Sequence, residues 1–101
     1  MDGGIDKLPL ERIAALCRRH GIRRLALFGS IVRDDFTPQS DVDVLVEFEP
    51  GVEVGFFGLE RMQEELSLLF ARKVDLNTPG FLSKHYRDRV LAEARDIYVA
   101  T

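Results

Sequence analysis

Residues 40–48 read Ser40-Asp41-Val42-Asp43-Val44-Leu45-Val46-Glu47-Phe48. Val42, Val44, Val46 and Phe48 alternate with Asp41, Asp43, Leu45 and Glu47, and this period of two predicts a strand. The same period puts Asp41 and Asp43 on one face and the valines on the other, where burial would hold the strand rigid. Pro50-Gly51 closes the segment.

Upstream, the apolar run Ile22 to Phe28 predicts a short strand that ends at Gly29-Ser30. Before it, Leu10, Ile13, Leu16 and Cys17 recur at three and four residues, predicting a helix over residues 9–20 with one apolar face. Pro9 suits its first turn and Gly21 a left-handed stop. Downstream, Phe56, Leu59, Gln63, Leu66 and Phe70 keep helical spacing, and Met62 and Leu69 widen the stripe. Residues 72–77 hold a third strand, Val74-Asp75-Leu76, stopped by Thr78-Pro79-Gly80. Leu82, Tyr86, Val90 and Ala94 stack at four-residue intervals and predict a last helix over residues 82–95. The order helix, strand, short helix, strand, helix, strand, helix implies an α/β fold with helices packed on a small sheet. The pattern leaves the relative strand directions open.

Two adjacent carboxylates on a fixed strand repel unless a cation sits between them. Hard oxygen ligands with open positions favour Mg²⁺, which keeps waters and takes substrate phosphates as further ligands. Ser40 is placed to hydrogen-bond a carboxylate or the strand edge. An Asp-x-Asp alone more often marks a solvated sheet face, so neighbouring features decide. Gly29 lets the backbone approach a phosphate closely, while Ser30 offers a hydroxyl and Arg33 a guanidinium to the same anion. Asp75, between Val74 and Leu76, can join Asp41 and Asp43 if its strand lies beside theirs; otherwise it sits at an edge facing water.

With 101 residues the chain supports one domain, residues 1–101, and a modest core. Its 14 basic and 17 acidic residues give a net charge of -3, which argues against direct nucleic-acid binding through bulk positive charge. The single cysteine, Cys17, excludes an internal disulfide and a Cys-based zinc site and reads as a small core residue. No run reaches the roughly 18 apolar residues of a membrane span. Met1 to Asp6 lacks the basic and apolar regions of a signal peptide, so a cytoplasmic location is expected. His20 suits a helix C-terminus, and His85 lacks a second histidine at ligand spacing. Glu47 continues the carboxylate face and would border the site. Phe56, Phe57 and Phe70 read as core, or partly as a partner surface. Tyr86 and Tyr98 are potential self-modification acceptors, although Tyr86 matches a packing stripe.

Taken together, these residues resemble the DNA polymerase beta-like nucleotidyltransferase superfamily, and more narrowly the minimal nucleotidyltransferase (MNT) antitoxins of bacteria and archaea. That signature is Gly-Ser, a short helix with Arg, then Ser-Asp-x-Asp on a strand. It stands here as Gly29-Ser30-Ile31-Val32-Arg33 and Ser40-Asp41-Val42-Asp43-Val44-Leu45-Val46. Arg72-Lys73-Val74-Asp75-Leu76-Asn77-Thr78-Pro79-Gly80 resembles the family's third-carboxylate strand and its turn. The resemblance runs from the first helix to Tyr98. It departs at Val32 and Asp34, where the family usually has Ala and Gly, and Asp34 adds negative charge near the expected triphosphate.

The resemblance implies the minimal nucleotidyltransferase fold, a small mixed sheet of three strands or slightly more packed with about four helices. It implies transfer of AMP from ATP to an acceptor hydroxyl, in these antitoxins a tyrosine of a partner HEPN-domain ribonuclease toxin, within a hetero-oligomer. Asp41, Asp43 and Asp75 would be the catalytic, metal-holding set for two Mg²⁺ ions, with Asp75 also accepting the hydroxyl proton. Gly29, Ser30, Arg33 and Ser40 would contact the nucleotide triphosphate. The alternative is a noncatalytic antitoxin that neutralises its partner by occlusion, towards which Asp34 leans and away from which the three acids lean. Transfer to a small molecule such as an aminoglycoside is disfavoured, since a second domain usually holds that acceptor.

Overall fold

The structure, a computed structural model, describes residues 8–33 and 35–101. Asp34 and the Met1 to Asp6 segment discussed above lie outside the described residues. The elements run α1 (Leu10–His20), β1 (Ile22–Phe28), a 3₁₀ turn (Gly29–Ile31), β2 (Val42–Phe48), α2 (Phe56–Phe70), β3 (Val74–Asn77), a second 3₁₀ turn (Pro79–Phe81), α3 (Lys84–Glu93) and β4 (Arg95–Val99). The described residues thus hold three α-helices and a four-stranded mixed α/β sheet, against the three-or-more strands and about four helices expected.

Sheet order is β3-β2-β1-β4. β1 pairs antiparallel with both β2 and β4, and β2 pairs parallel with β3. Val42, Val44 and Val46 face the main core with Leu25 and Leu27, under Ile13, Leu16 and Cys17 of α1 and Met62, Leu66 and Phe70 of α2. Ala26, Phe28 and Leu45 face the other way, against Val90 of α3. Leu66 is fully buried among these contacts. Leu66→Ala is therefore expected to destabilise the domain by about 2–5 kcal/mol, read as a lower urea midpoint with an unchanged slope.

The helix ends follow ordinary chemistry. Gly21 takes the left-handed conformation at φ 70° and stops α1, whose last turn carries Arg18, Arg19 and His20 at the negative end of the dipole. Ser83 caps α3 by accepting from the Tyr86 amide. Two side chains of α2 reach the outer edge of β3, where the Val74 amide donates to Ser67 Oγ and the Leu76 amide to Gln63 Oε1. That edge is covered by polar groups of its own chain.

Some local expectations change. The last helix ends at Glu93, two residues early, and residues 95–99 form a fourth strand paired with β1. Of the three phenylalanines read as core or partly surface, Phe70 is core, while Phe56 and Phe57 at the start of α2 are 68% and 81% exposed and pack edge to face on each other. Leu10 and Tyr86, both assigned to apolar stripes, lie about half in solvent. Among the described residues no helix is long and apolar enough to cross a membrane.

Candidate active site

The β1–β2 ladder pairs Phe28 with Asp43, so Gly29, the next residue, lies beside that carboxylate. Gly29 has φ +78°, and a Cβ there would run into Asp43 Oδ2 and stand 3.1 Å from its Cγ. Two constraints therefore exclude a side chain at this position, one of backbone conformation and one of space.

The parallel β2–β3 ladder pairs Asp43 with Asp75. Asp41, Asp43 and Asp75 consequently share the sheet face opposite the valine core, with Asp41 and Asp75 exposed and Asp43 half-buried. Burial pushes the Asp43 carboxyl above its ordinary value, Asp75 and then Asp41 push it further, and Arg33 partly offsets them. Among the described residues no three His, Cys, Asp or Glu side chains are gathered as a metal-holding group. The acids share a face without closing on one point. Lys73 Nζ stands 4.0 Å from Asp41 Oδ2 at the rim, a weak exposed contact. As a donor set, mutually repelling carboxylate oxygens on one rigid face fit a hard divalent cation.

Gly29 to Ile31 forms a tight turn in which the Val32 and Arg33 amides both donate to the Gly29 carbonyl, at 3.0 and 3.1 Å. This places the Arg33 guanidinium near Asp43, where it also meets Asp35 Oδ1 at 3.6 Å and Glu93 Oε1 at 3.4 Å. The Gly29 amide donates to the same Glu93 oxygen at 3.3 Å.

Two expected roles take a different form. Ser40 Oγ accepts from the Thr37 amide at 2.9 Å and bonds Thr37 Oγ1 at 3.0 Å, so it closes the turn before β2 instead of binding a carboxylate. Glu47 bridges Arg23 and Arg24 and is absorbed in a cross-strand ladder that continues to Asp96. Cys17 is core as expected, its thiol pushed up to about 12 by burial.

Sequence reasoning missed two residues. Arg72 stacks over the Phe36 ring at 4.7 Å and donates to the Pro38 carbonyl at 2.9 Å, strapping the β3 entry to the loop that presents Asp41. Glu93 is the other. Neither carries a local motif, because their partners lie 34 to 64 residues away. Two surface grooves, of about 480 and 350 Å³, are lined by residues of α1, α2 and the start of β3, and neither lining includes Gly29, Arg33, Asp41, Asp43 or Asp75.

Residues 11–98 match the family model described as the nucleotidyltransferase domain. The chain belongs to that family. The nucleotidyltransferase is 38% identical over 102 residues to the protein adenylyltransferase MntA of Thermococcus cleftensis, covering 91% of this chain and 97% of that one. A solved toxin–antitoxin complex with AMP-PNP shares its fold at a TM-score of 0.75, over 93% of this nucleotidyltransferase and 76% of the matched chain, at 19% identity. A complex of tri-AMPylated Shewanella oneidensis HEPN toxin with an MNT antitoxin shares it at a TM-score of 0.64, over 90% and 70%, at 17% identity. Every element that positions the nucleotidyltransferase's three acids lies within the matched span.

Proposed function

We propose that this nucleotidyltransferase moves AMP from ATP to a tyrosine hydroxyl of a HEPN-domain ribonuclease toxin and is thereby its antitoxin. The observation that carries the reading is the placement of Gly29 beside Asp43, and of Asp43 beside Asp75, by two strand ladders, which sets a phosphate-compatible turn next to an acidic sheet face. The name of the Thermococcus relative and the AMPylated toxin in the Shewanella complex support the acceptor class.

In this reading Asp41, Asp43 and Asp75 are the residues that would hold Mg²⁺, two ions by the family resemblance. Held there, Mg²⁺ would supply neutralisation of triphosphate charge and stabilisation of the attacking and leaving oxygens. The Gly29–Ser30 backbone, the Ser30 hydroxyl and the Arg33 guanidinium hold the β- and γ-phosphates, while Ser40 shapes the loop carrying Asp41. The tyrosine oxygen bonds to the α-phosphorus, the bond from that phosphorus to the bridging oxygen breaks, and pyrophosphate leaves. Asp75, exposed on the edge strand β3, accepts the hydroxyl proton.

The test incubates the chain with labelled ATP, Mg²⁺ and the product of the neighbouring gene, followed by intact mass measurement. Addition of one or more AMP units to the partner, abolished by a chelator, is the expected result. A tightly bound but unmodified partner would replace this reading with neutralisation by occlusion.

A further inference from the structure

Glu93 stands at an unfavourable place for an acid. It is the last residue of α3, at the negative end of the helix dipole, and no basic residue occupies that last turn. Its position is fixed by the sheet, because Leu27 of β1 pairs with Arg95 of β4 and so brings the α3–β4 junction beside Gly29. There a single oxygen, Oε1, accepts from both the Gly29 amide and the Arg33 guanidinium. A backbone amide of a glycine turn together with a guanidinium is the donor pair that a phosphate oxygen would use.

We propose that Glu93 is an internal substitute for phosphate, which holds the Gly29 and Arg33 donors in the nucleotide-free chain and lowers triphosphate affinity until it withdraws. The inference rests on the nucleotidyl-transfer reading of the same site. Its two hydrogen bonds, at 3.3 and 3.4 Å, are long against the usual 2.9–3.0 Å, so the hold is weak enough to be exchanged. Room exists for withdrawal, since the Glu93 and Arg33 side chains are 31% and 52% exposed. The effect on affinity follows from populations. A carboxylate engaged about nine-tenths of the time raises the apparent Kd of a competing triphosphate about tenfold.

Calorimetric titration of the full chain with ATP and Mg²⁺, and separately with adenosine, tests this on wild type, Glu93→Gln and Glu93→Ala. The expected result is about tenfold tighter ATP binding in both variants, with adenosine affinity unchanged because it carries no phosphate to compete. A residue that merely braces the turn would give the opposite sign, weaker ATP binding on its removal. Equal or weaker ATP binding in both variants, with wild type binding ATP normally, overturns the Glu93 proposal and leaves the nucleotidyl-transfer reading standing. Failure of wild type and both variants to bind ATP overturns both.

Discussion

Asp43→Asn is expected to reduce AMP transfer by at least about 10²–10³-fold while raising the melting temperature of the cation-free protein at neutral pH. Both effects have one cause. Asp43 is half-buried between Asp41 and Asp75, and its carboxyl is held above the ordinary value by burial first and by those two neighbours next. Asparagine keeps the size and removes the charge. Catalysis then loses the group that the proposed metal site is built around. Folding loses a repulsion.

The sign with pH follows directly. A folded carboxyl raised above its unfolded value binds its proton more tightly in the native state, so its stabilising contribution is complete below the unfolded value near 3.8 and is lost as pH rises through the folded value. Wild type and Asp43→Asn should therefore have similar stability in acid, with the variant pulling ahead as pH rises towards neutrality. Each 1 kcal/mol moves the midpoint of a domain this size by about 4–8 °C. Thermal melts from pH 3 to 8 without divalent cations would show the divergence, and parallel curves would remove this account of Asp43. A variant that still transfers AMP at the wild-type rate would remove the site assignment.

Gly29→Ala is expected to damage activity out of proportion to stability. Alanine at φ +78° carries a backbone penalty of roughly 1–2 kcal/mol, and its methyl group must displace the Asp43 carboxylate. Gly51 supplies the control. It has φ +87° with nothing within 4 Å of the built Cβ, so Gly51→Ala bears the backbone penalty alone. Both variants should show lowered urea midpoints. Only Gly29→Ala should lose about 10²-fold or more in kcat/KM, since displacement of a catalytic group by even 1 Å has effects of that order. Equal activity losses in the two would mean that the Gly29–Asp43 contact is incidental.

The elements that the sequence made legible are those with self-contained patterns. β1 and α2 have the expected bounds, and β2 lacks only its first expected residue because the valine alternation is unbroken from 42 to 46. β4 was hidden because Ala94 extends the four-residue stack of Leu82, Tyr86 and Val90, carrying the helical pattern up to residues whose strand character depends on β1. Parallel pairing of β3 with β2 was open for the same reason, since register between distant segments leaves no local mark. Among the candidate site residues, Gly29, Arg33, Asp41, Asp43 and Asp75 could be named from motif spacing and the family resemblance. Glu93 and Arg72 could not, as each acts on a segment far along the chain and looks locally like surface charge. Ser40 was named, but its hydroxyl is used within its own loop.

The pairing of Phe28 with Asp43 also bears on quality control. Because side chains alternate, a slip of β2 by one residue would turn Val42, Val44 and Val46 outward and drive Asp43 into the space beneath α1 and α2. An unpaired carboxylate buried there would cost several kcal/mol, a large share of the stability of so small a domain. A misaligned and inactive isomer is thus too unstable to accumulate. The apolar half of the strand proofreads the alignment of the acidic half, so a chain that folds at all emerges with its acids correctly set.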